Sequence, residues 1–325
     1  MANLNITSWN VKGLGHPVKL RTVLTHLKKY KTSIALLQET HMTSTEHLKL
    51  KHGWVGQVFS SSFRSNSRGV AILIDRQTPF VFENQILDSE GRYILITGSL
   101  FGQHMTLLNV YAPNEDCPEF MAEMITLFNH HCKGVGLIAG DLNLIMNPSI
   151  DKAPPALVRS KSSVALNGLC EEIGLIDVWR ELNPNSKNYT FFSNPHKSFS
   201  RLDYFLIPSS IVHLVSKCDI GQIIISDHAP IFLDIKLTPP KPQFKSWKFN
   251  TSLLADTEFD TYFKKIILDF YNDNKHSGVN AAMVWDAAKA TFRGYIISYA
   301  SFKKKGVPKS QDIIGKPGKT LGRNP

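Results

Sequence analysis

Gly136-Leu137-Ile138-Ala139-Gly140-Asp141-Leu142-Asn143 is a short apolar run that ends in an acid and an amide. The run is too short for a helix and reads as a buried strand. Asp141 and Asn143 then fall just past a strand end, where open α/β sheets collect reactive side chains. Taken alone, the pattern is also that of an ordinary turn, since Asp and Asn favour turns. It recurs along the chain, however. Trp9-Asn10, Gln38-Glu39-Thr40, Asn109-Val110-Tyr111-Ala112-Pro113, Ser200-Arg201-Leu202-Asp203-Tyr204 and Ser226-Asp227-His228-Ala229-Pro230 each set polar residues beside an apolar strand pattern.

The intervening sequence supplies the elements. Strands are expected at 4–10, 33–37, 69–75, 92–97, 105–111, 136–140, 189–192, 201–207, 220–225 and 230–237. Helical spacing appears in 16–31, through Leu20, Val23, Leu24 and Leu27, in 118–131, through Phe120, Met124, Leu127 and Phe128, and in 162–173. Many strands with few, dispersed helices predict an α/β fold in which two packed β-sheets are flanked by helices, a four-layer sandwich. After Leu237, Thr238-Pro239-Pro240-Lys241-Pro242 reads as a linker. The expected organisation is a catalytic domain over 1–239, a helical extension over 240–302 and a disordered basic tail over 303–325. In the extension, Phe259, Tyr262, Phe263, Ile266 and Phe270 share one face, and Trp285, Ala288, Phe292, Tyr295, Ile296 and Tyr299 another.

Composition narrows the class. The 325 residues are 42% hydrophobic and 20% charged, which excludes global disorder. No apolar run is long enough for a transmembrane helix, so no membrane partner is expected. The N-terminus lacks the form of a signal peptide. Four cysteines without a CxxC pair make neither a disulfide scaffold nor a structural zinc site, which favours a reducing compartment. Residues 240–325 carry 15 Lys/Arg and 7 Asp/Glu, a net +8; residues 1–239 carry 22 and 20, a net +2. A basic tail on a near-neutral body points to a polyanion, most simply nucleic acid, with RNA reachable through the tail.

If the strand ends converge, one site holds Glu39, Asp141, Asp203, Asp227, two Asn, Tyr111 and His228. Oxygen ligands with one imidazole and no thiolate suit a hard cation such as Mg²⁺, with Mn²⁺ as a substitute. Clustered carboxylates repel unless a cation or an imidazolium offsets them. A cation beside a His–Asp pair and a second carboxylate is the equipment for phosphodiester hydrolysis. Trp9 reads as core rather than as a stacking platform.

These six segments, taken in order over about residues 3–237, resemble the endonuclease/exonuclease/phosphatase superfamily, in the branch of exonuclease III-type apurinic/apyrimidinic (AP) endonucleases and LINE-type retrotransposon endonucleases. The resemblance implies that Glu39 is the principal metal ligand, with Asn10, Asp227, Asp141 and Asn143 around the cation. It implies that Asp141 activates water and that Asn143 holds the transition state. Tyr111 would lie near the scissile phosphate, and His228, oriented by Asp203, would contact it. Lys12 departs from the pattern, because AP endonucleases commonly have an Asp there.

Two features bear on the branch. AP endonucleases carry a Trp just before the Arg-Leu-Asp-Tyr segment, and this chain has Ser200. The stretch from Tyr189 to Ser200 resembles the DNA-probing hairpin of LINE endonucleases, which makes Phe192, Asn194, His196, Lys197, Ser200 and Arg201 the expected DNA contacts. A hairpin of this kind tests deformability rather than base edges. Segments 247–254 and 293–299 resemble the stretch that follows the endonuclease in vertebrate LINE second open reading frames. The expectation is a Mg²⁺-dependent nicking endonuclease acting in the nucleus, with the cytoplasm as a second location. AP endonuclease and 3′→5′ exonuclease activity is the alternative.

Overall fold

A computed structural model describes residues 2–237, 247–276 and 278–304. The chain divides into two compact units, Met1–Lys241 and Pro242–Pro325.

The first unit opens with β1 (Ala2–Asn10), α1 (Pro17–Lys29), β2 (Ile34–Gln38), β3 (Val55–Ser61), β4 (Val70–Asp75), β5 (Phe80–Leu87), β6 (Tyr93–Leu100) and β7 (Gln103–Tyr111). It continues with α2 (Pro118–His131), β8 (Val135–Asp141), β9 (Lys152–Ala153), α3 (Lys161–Ile173), β10 (Leu175–Asp177) and α4 (Val178–Leu182). It closes with β11 (Phe191–Ser193), β12 (Ser198–Ser200), β13 (Asp203–Pro208), β14 (Val215–Ile220) and β15 (Ile231–Leu237).

Two mixed six-stranded sheets form, ordered β14-β15-β1-β2-β4-β3 and β10-β13-β8-β7-β6-β5. Each contains one parallel pair, β1–β2 in the first and β7–β8 in the second, joined by α1 and α2 respectively. A parallel pair needs such a crossover, and the helix then covers the outer face. Leu4, Ile6, Leu36 and Ile72 meet Ile94, Leu107, Leu137 and Phe205 between the sheets. Outside the first sheet, Val23, Leu24 and Leu27 of α1 pack on Ala35, Leu37 and Leu73. Outside the second, Met124, Phe128 and Leu166 of α2 and α3 pack on Leu108, Ile138 and Leu206. The expected four-layer architecture is thus present.

This arrangement decides where the site lies. Asn10, Gln38, Tyr111 and Asp141 close the four parallel-paired strands at their carboxyl ends. β13 runs antiparallel to β8, so its first residue, Asp203, stands at the same end. β15 runs antiparallel to β1, which brings the preceding loop with His228 there too. Gly140 is required at the join, because a β-carbon on it would lie 1.9 Å from the Val110 carbonyl oxygen.

Some expected elements differ. The strand expected at 220–225 is instead Val215–Ile220, and Ile223 and Ile224 are exposed in the loop that follows. The three successive isoleucines read as a strand through their β-branching, but Gly221 turns there and its N–H bonds the Pro230 carbonyl. β3, β5, β10 and the short strands β9 and β12 had no strand expectation.

In the second unit, a 3₁₀ turn (Thr251–Ala255) leads to α5 (Thr257–Asn274) and α6 (Ala281–Lys304). Phe259, Phe263, Phe292, Ile296 and Tyr299 pack together with Leu253. Trp285, expected on the apolar face, is exposed. Lys303 and Lys304 belong to α6, so the irregular tail expected from 303 does not start there; the rest of it, and the 238–242 linker, lie outside the described residues. Among the described residues, no helix is long and apolar enough to cross a membrane.

Candidate active site

Asp141 and Asp203 are register partners on β8 and β13. His228 sits between them. Its Nδ1 is 2.8 Å from Asp203 Oδ2 and its Nε2 is 3.6 Å from Asp141 Oδ2, with all three residues buried. Burial alone would strip the proton from the imidazole, but Asp203 and Asp141 outweigh it and hold the ring as imidazolium. Burial acts the other way on Asp141 and raises its carboxyl, while His228 opposes the rise. The three could also hold a metal, since one ligand atom from each lies within 4.8 Å of the others.

Asn10 connects this group to Glu39. Its Nδ2 donates to Asp141 Oδ2 at 2.9 Å and to Glu39 Oε1 at 2.8 Å, and its Oδ1 accepts the Lys12 N–H at 3.0 Å. Asn10 was expected among the cation's ligands. Here it turns its donor side to both carboxylates, because its oxygen is taken by the backbone.

Glu39 is partly open to solvent and accepts from His41 Nε2 at 3.2 Å. Desolvation would raise its carboxyl, but the bonds from His41 and Asn10 prevail and lower it. The Tyr111 hydroxyl also bonds Glu39, and burial with the nearby Glu39 and Asp141 charges pushes the phenol up. The Asn143 N–H caps Asp141 Oδ1 at 2.9 Å, and its side chain donates to the Ala112 carbonyl. Asp227 is set apart: its Oδ2 is 2.6 Å from the Lys12 ammonium, with both side chains partly exposed. Lys12, the departure noted above, therefore reaches the carboxylate expected to help hold the metal.

Lys12, Glu39, His41 and Asn143 all have left-handed φ, between 46° and 52°. Such strain in non-glycine residues persists only where surrounding contacts over-determine it, and it clusters at functional sites. Trp9 is core, as expected, and also a strut: its Nε1 donates to the His228 carbonyl at 3.1 Å.

The hairpin β11–β12 stands beside His228. The Phe191 ring is 4.7 Å from the imidazole, and the Phe192 N–H bonds the Asp227 carbonyl. Phe192 and Phe199 pack at 4.6 Å, while Asn194, His196 and Lys197 are exposed at the tip, with Lys197 Nζ on Asn194 Oδ1. Ser200 is buried where β12 meets β9.

Arg201 corrects an expectation. It was taken as a DNA contact, but its guanidinium is buried, bidentate on Asp151 at 2.8 and 2.9 Å and 2.6 Å from Asp177. It also packs over Trp179 and Tyr204. It braces the floor below the hairpin and has no surface to offer a phosphate. Sequence reasoning missed His41, which directly follows the quoted Gln38-Glu39-Thr40, and Gln38 and Asn109 as inter-sheet ties. Gln38 Nε2 donates to Asn109 Oδ1 at 2.7 Å, and Asn109 Nδ2 to the Leu37 and Ala71 carbonyls.

With this geometry in hand, the profile of the endonuclease/exonuclease/phosphatase family matches residues 7–228. The chain belongs to that family. The match begins just before Asn10 and ends on His228, so it encloses the whole endonuclease/exonuclease/phosphatase site described above. Among related sequences, the transposon TX1 149 kDa protein of Xenopus laevis is 29% identical over 79% of this chain, which spans only 20% of that protein's length. The DNA repair nuclease APEX1 of Danio rerio is 28% identical over 71% of this chain and 82% of its own. The 3′-5′ exonuclease NExo of Neisseria meningitidis superposes with a TM-score of 0.59 at 20% identity, over 72% of this chain and all of that one. The AP endonuclease LMAP of Leishmania major gives 0.58 at 17%, over 73% and 88%. These structural likenesses show the fold. Membership of the family makes hydrolysis of phosphate esters the expected reaction class.

Proposed function

We propose that the chain is a Mg²⁺-dependent endonuclease that nicks double-stranded DNA, of the retrotransposon type. The observation that carries this is the continuous polar chain Asp203–His228–Asp141–Asn10–Glu39, drawn from five different strand ends. An imidazolium held between carboxylates donates toward a phosphate oxygen, and Asp141, capped by Asn143, accepts a proton from the attacking water. The second N–H of the Asn143 amide adds a donor beside it, and the Tyr111 hydroxyl, which bonds Glu39, lies next to both carboxylates.

The residues present fit a hard cation. The Asp141–His228–Asp203 group is already balanced by its imidazolium, and a cation among those atoms would replace that proton. Glu39 is the carboxylate of this polar chain that is partly open to solvent. With Asp141 it would hold Mg²⁺, or Mn²⁺ in its place. Such an ion supplies charge neutralisation at the phosphate and the leaving oxygen.

Two observations favour the retrotransposon branch. The transposon protein of Xenopus aligns over more of this chain than the repair nuclease does. Ser200, at the position of the pocket-lining Trp of AP endonucleases, is small and buried and offers no indole to line a site for a baseless sugar. AP endonuclease with 3′→5′ exonuclease activity is the second reading, favoured by the repair nuclease aligned over most of its length. Nicking of matched duplexes with and without one abasic site separates them. Comparable cutting of intact DNA supports the proposal, and cutting confined to the abasic duplex supports the second reading.

A further inference from the structure

The site has a second end. From His41, which pairs with Glu39, the backbone N–H continues to the Arg68 carbonyl at 2.9 Å, and the Thr40 N–H bonds the Gly69 carbonyl at 2.9 Å. The loop 62–68, Ser-Phe-Arg-Ser-Asn-Ser-Arg, is therefore joined directly to the Glu39 end of the polar chain, as the hairpin is joined to the His228 end. The loop is fastened at its other foot as well. Ser62 Oγ pairs with Nδ1 of the buried His47 at 2.9 Å, and Nε2 of the same ring pairs with Thr40 Oγ1 at 2.9 Å. Arg68 itself is left-handed, with φ 57°.

On this fixed loop, the guanidiniums of Arg64 and Arg68 lie 4.9 and 4.6 Å from the centroid of the Phe63 ring, which is 38% exposed. Contacts of this kind orient an arginine without neutralising it. Arg68 is half-buried and shares its charge with the exposed Glu90 at 2.6 Å, a pair that water screens from the Glu90 side. Arg64 is exposed and forms no ion pair among the described residues. Both guanidiniums lie over the Phe63 ring, so Phe63 serves as a rest for two cations. Arginine forks fixed in advance suit phosphate oxygens.

We infer that Phe63, Arg64 and Arg68 form a phosphate clamp that holds the nucleic-acid backbone at the Glu39 end of the cleft, opposite the hairpin. The clamp rests on the DNA reading above and adds a second anchor to it. Two anchors at the two ends of the polar chain fix the register of the strand over His228 and Glu39, while neither reads a base edge.

The test uses the full chain and a 25-base-pair duplex, in chelator so that binding is measured without cleavage. Affinity is followed by fluorescence anisotropy across a salt series for wild type, for Arg64→Gln/Arg68→Asn and for Lys133→Gln/Lys236→Gln. Asn tolerates the left-handed backbone at 68. The control removes the same charge from two exposed lysines, one ahead of β8 and one in β15, at the strand ends away from the site. The arginine variant is expected to show a log–log salt slope shallower by about 1.8, two phosphates' worth, with the control near wild type. Arg64→Gln alone, which touches no structural contact besides Phe63, should give about half that change. Equal slopes for wild type and the arginine variant, or equal losses in the two double variants, would refute the clamp while leaving nicking by wild type intact. A wild-type protein that neither binds nor nicks the duplex would overturn the DNA reading itself, and the clamp with it.

Discussion

Asp141 and Asp203 face each other directly across the β8–β13 ladder, a position at which two acids repel unless something stands between them. His228 stands there, 2.8 Å from one and 3.6 Å from the other. The buried charge is therefore part of the fold's design for holding an imidazolium, and each acid has a separate consequence when altered.

Asp203→Asn keeps the shape but removes the charge that orients His228. The amide oxygen can keep the bond from His228 Nδ1, and the NH2 takes the place of Asp203 Oδ1, which is buried and has no partner among the described residues. Nicking should fall by about 10²–10⁴-fold, the usual contribution of a positioned acid–base group. Circular dichroism should stay as in wild type. Wild-type rates from this variant would show that Asp203 does not orient the catalytic ring.

Arg201→Met should act on stability and not on DNA. It removes the buried cation beside Asp177 and one of the two on Asp151, which keeps Arg180, a loss of about 3 kcal/mol. Thermal melting reads the loss, and duplex affinity measured well below the melting temperature should be unchanged. Weaker binding with an unchanged melting temperature would restore Arg201 as a DNA contact.

His47 predicts a pH effect. Burial pushes its imidazole down to about 4, against about 6.5 when unfolded. The unfolded chain therefore binds the proton first, and the stability held above pH 6.5 is lost as pH falls toward 4. Between pH 6.5 and 5 the loss is about 2 kcal/mol. Denaturant midpoints for wild type and His47→Gln across this range check it: wild type should show the steeper decline, and parallel curves would contradict the assignment.

The hairpin should choose the nick site. Replacing Asn194 to Phe199 by a short Gly/Ser turn removes the exposed tip and the Phe192–Phe199 pair without touching the polar chain. Nick maps on one plasmid should shift away from flexible pyrimidine–purine steps while the overall rate changes less. An unchanged distribution would show that the hairpin is not the reader.

Much of this was legible from residue type and position. Short apolar runs leading into Asn10, Glu39, Tyr111 and Asp141 mark buried strands, and those strands form the two parallel pairs that gather the site. The edge strands β3 and β5 were not legible, since β5 is exposed along most of its length and lacks a clean alternation. Arg201 misled because an arginine beside a probing hairpin looks like a phosphate ligand. Only the tertiary placement of Asp151, some fifty residues earlier, shows that its charge is already matched. His41 and His47 take their roles from contacts with Glu39, Thr40 and Ser62 that no local pattern announces.

The most direct measurement is relaxation of a supercoiled plasmid by the full chain in Mg²⁺, in excess chelator, and with folded Glu39→Ala in Mg²⁺. Open-circular product in the first reaction alone is the predicted result. Intact plasmid in Mg²⁺, or nicking that survives both chelator and loss of Glu39, would contradict a metal-dependent phosphodiester cleavage centred on this site.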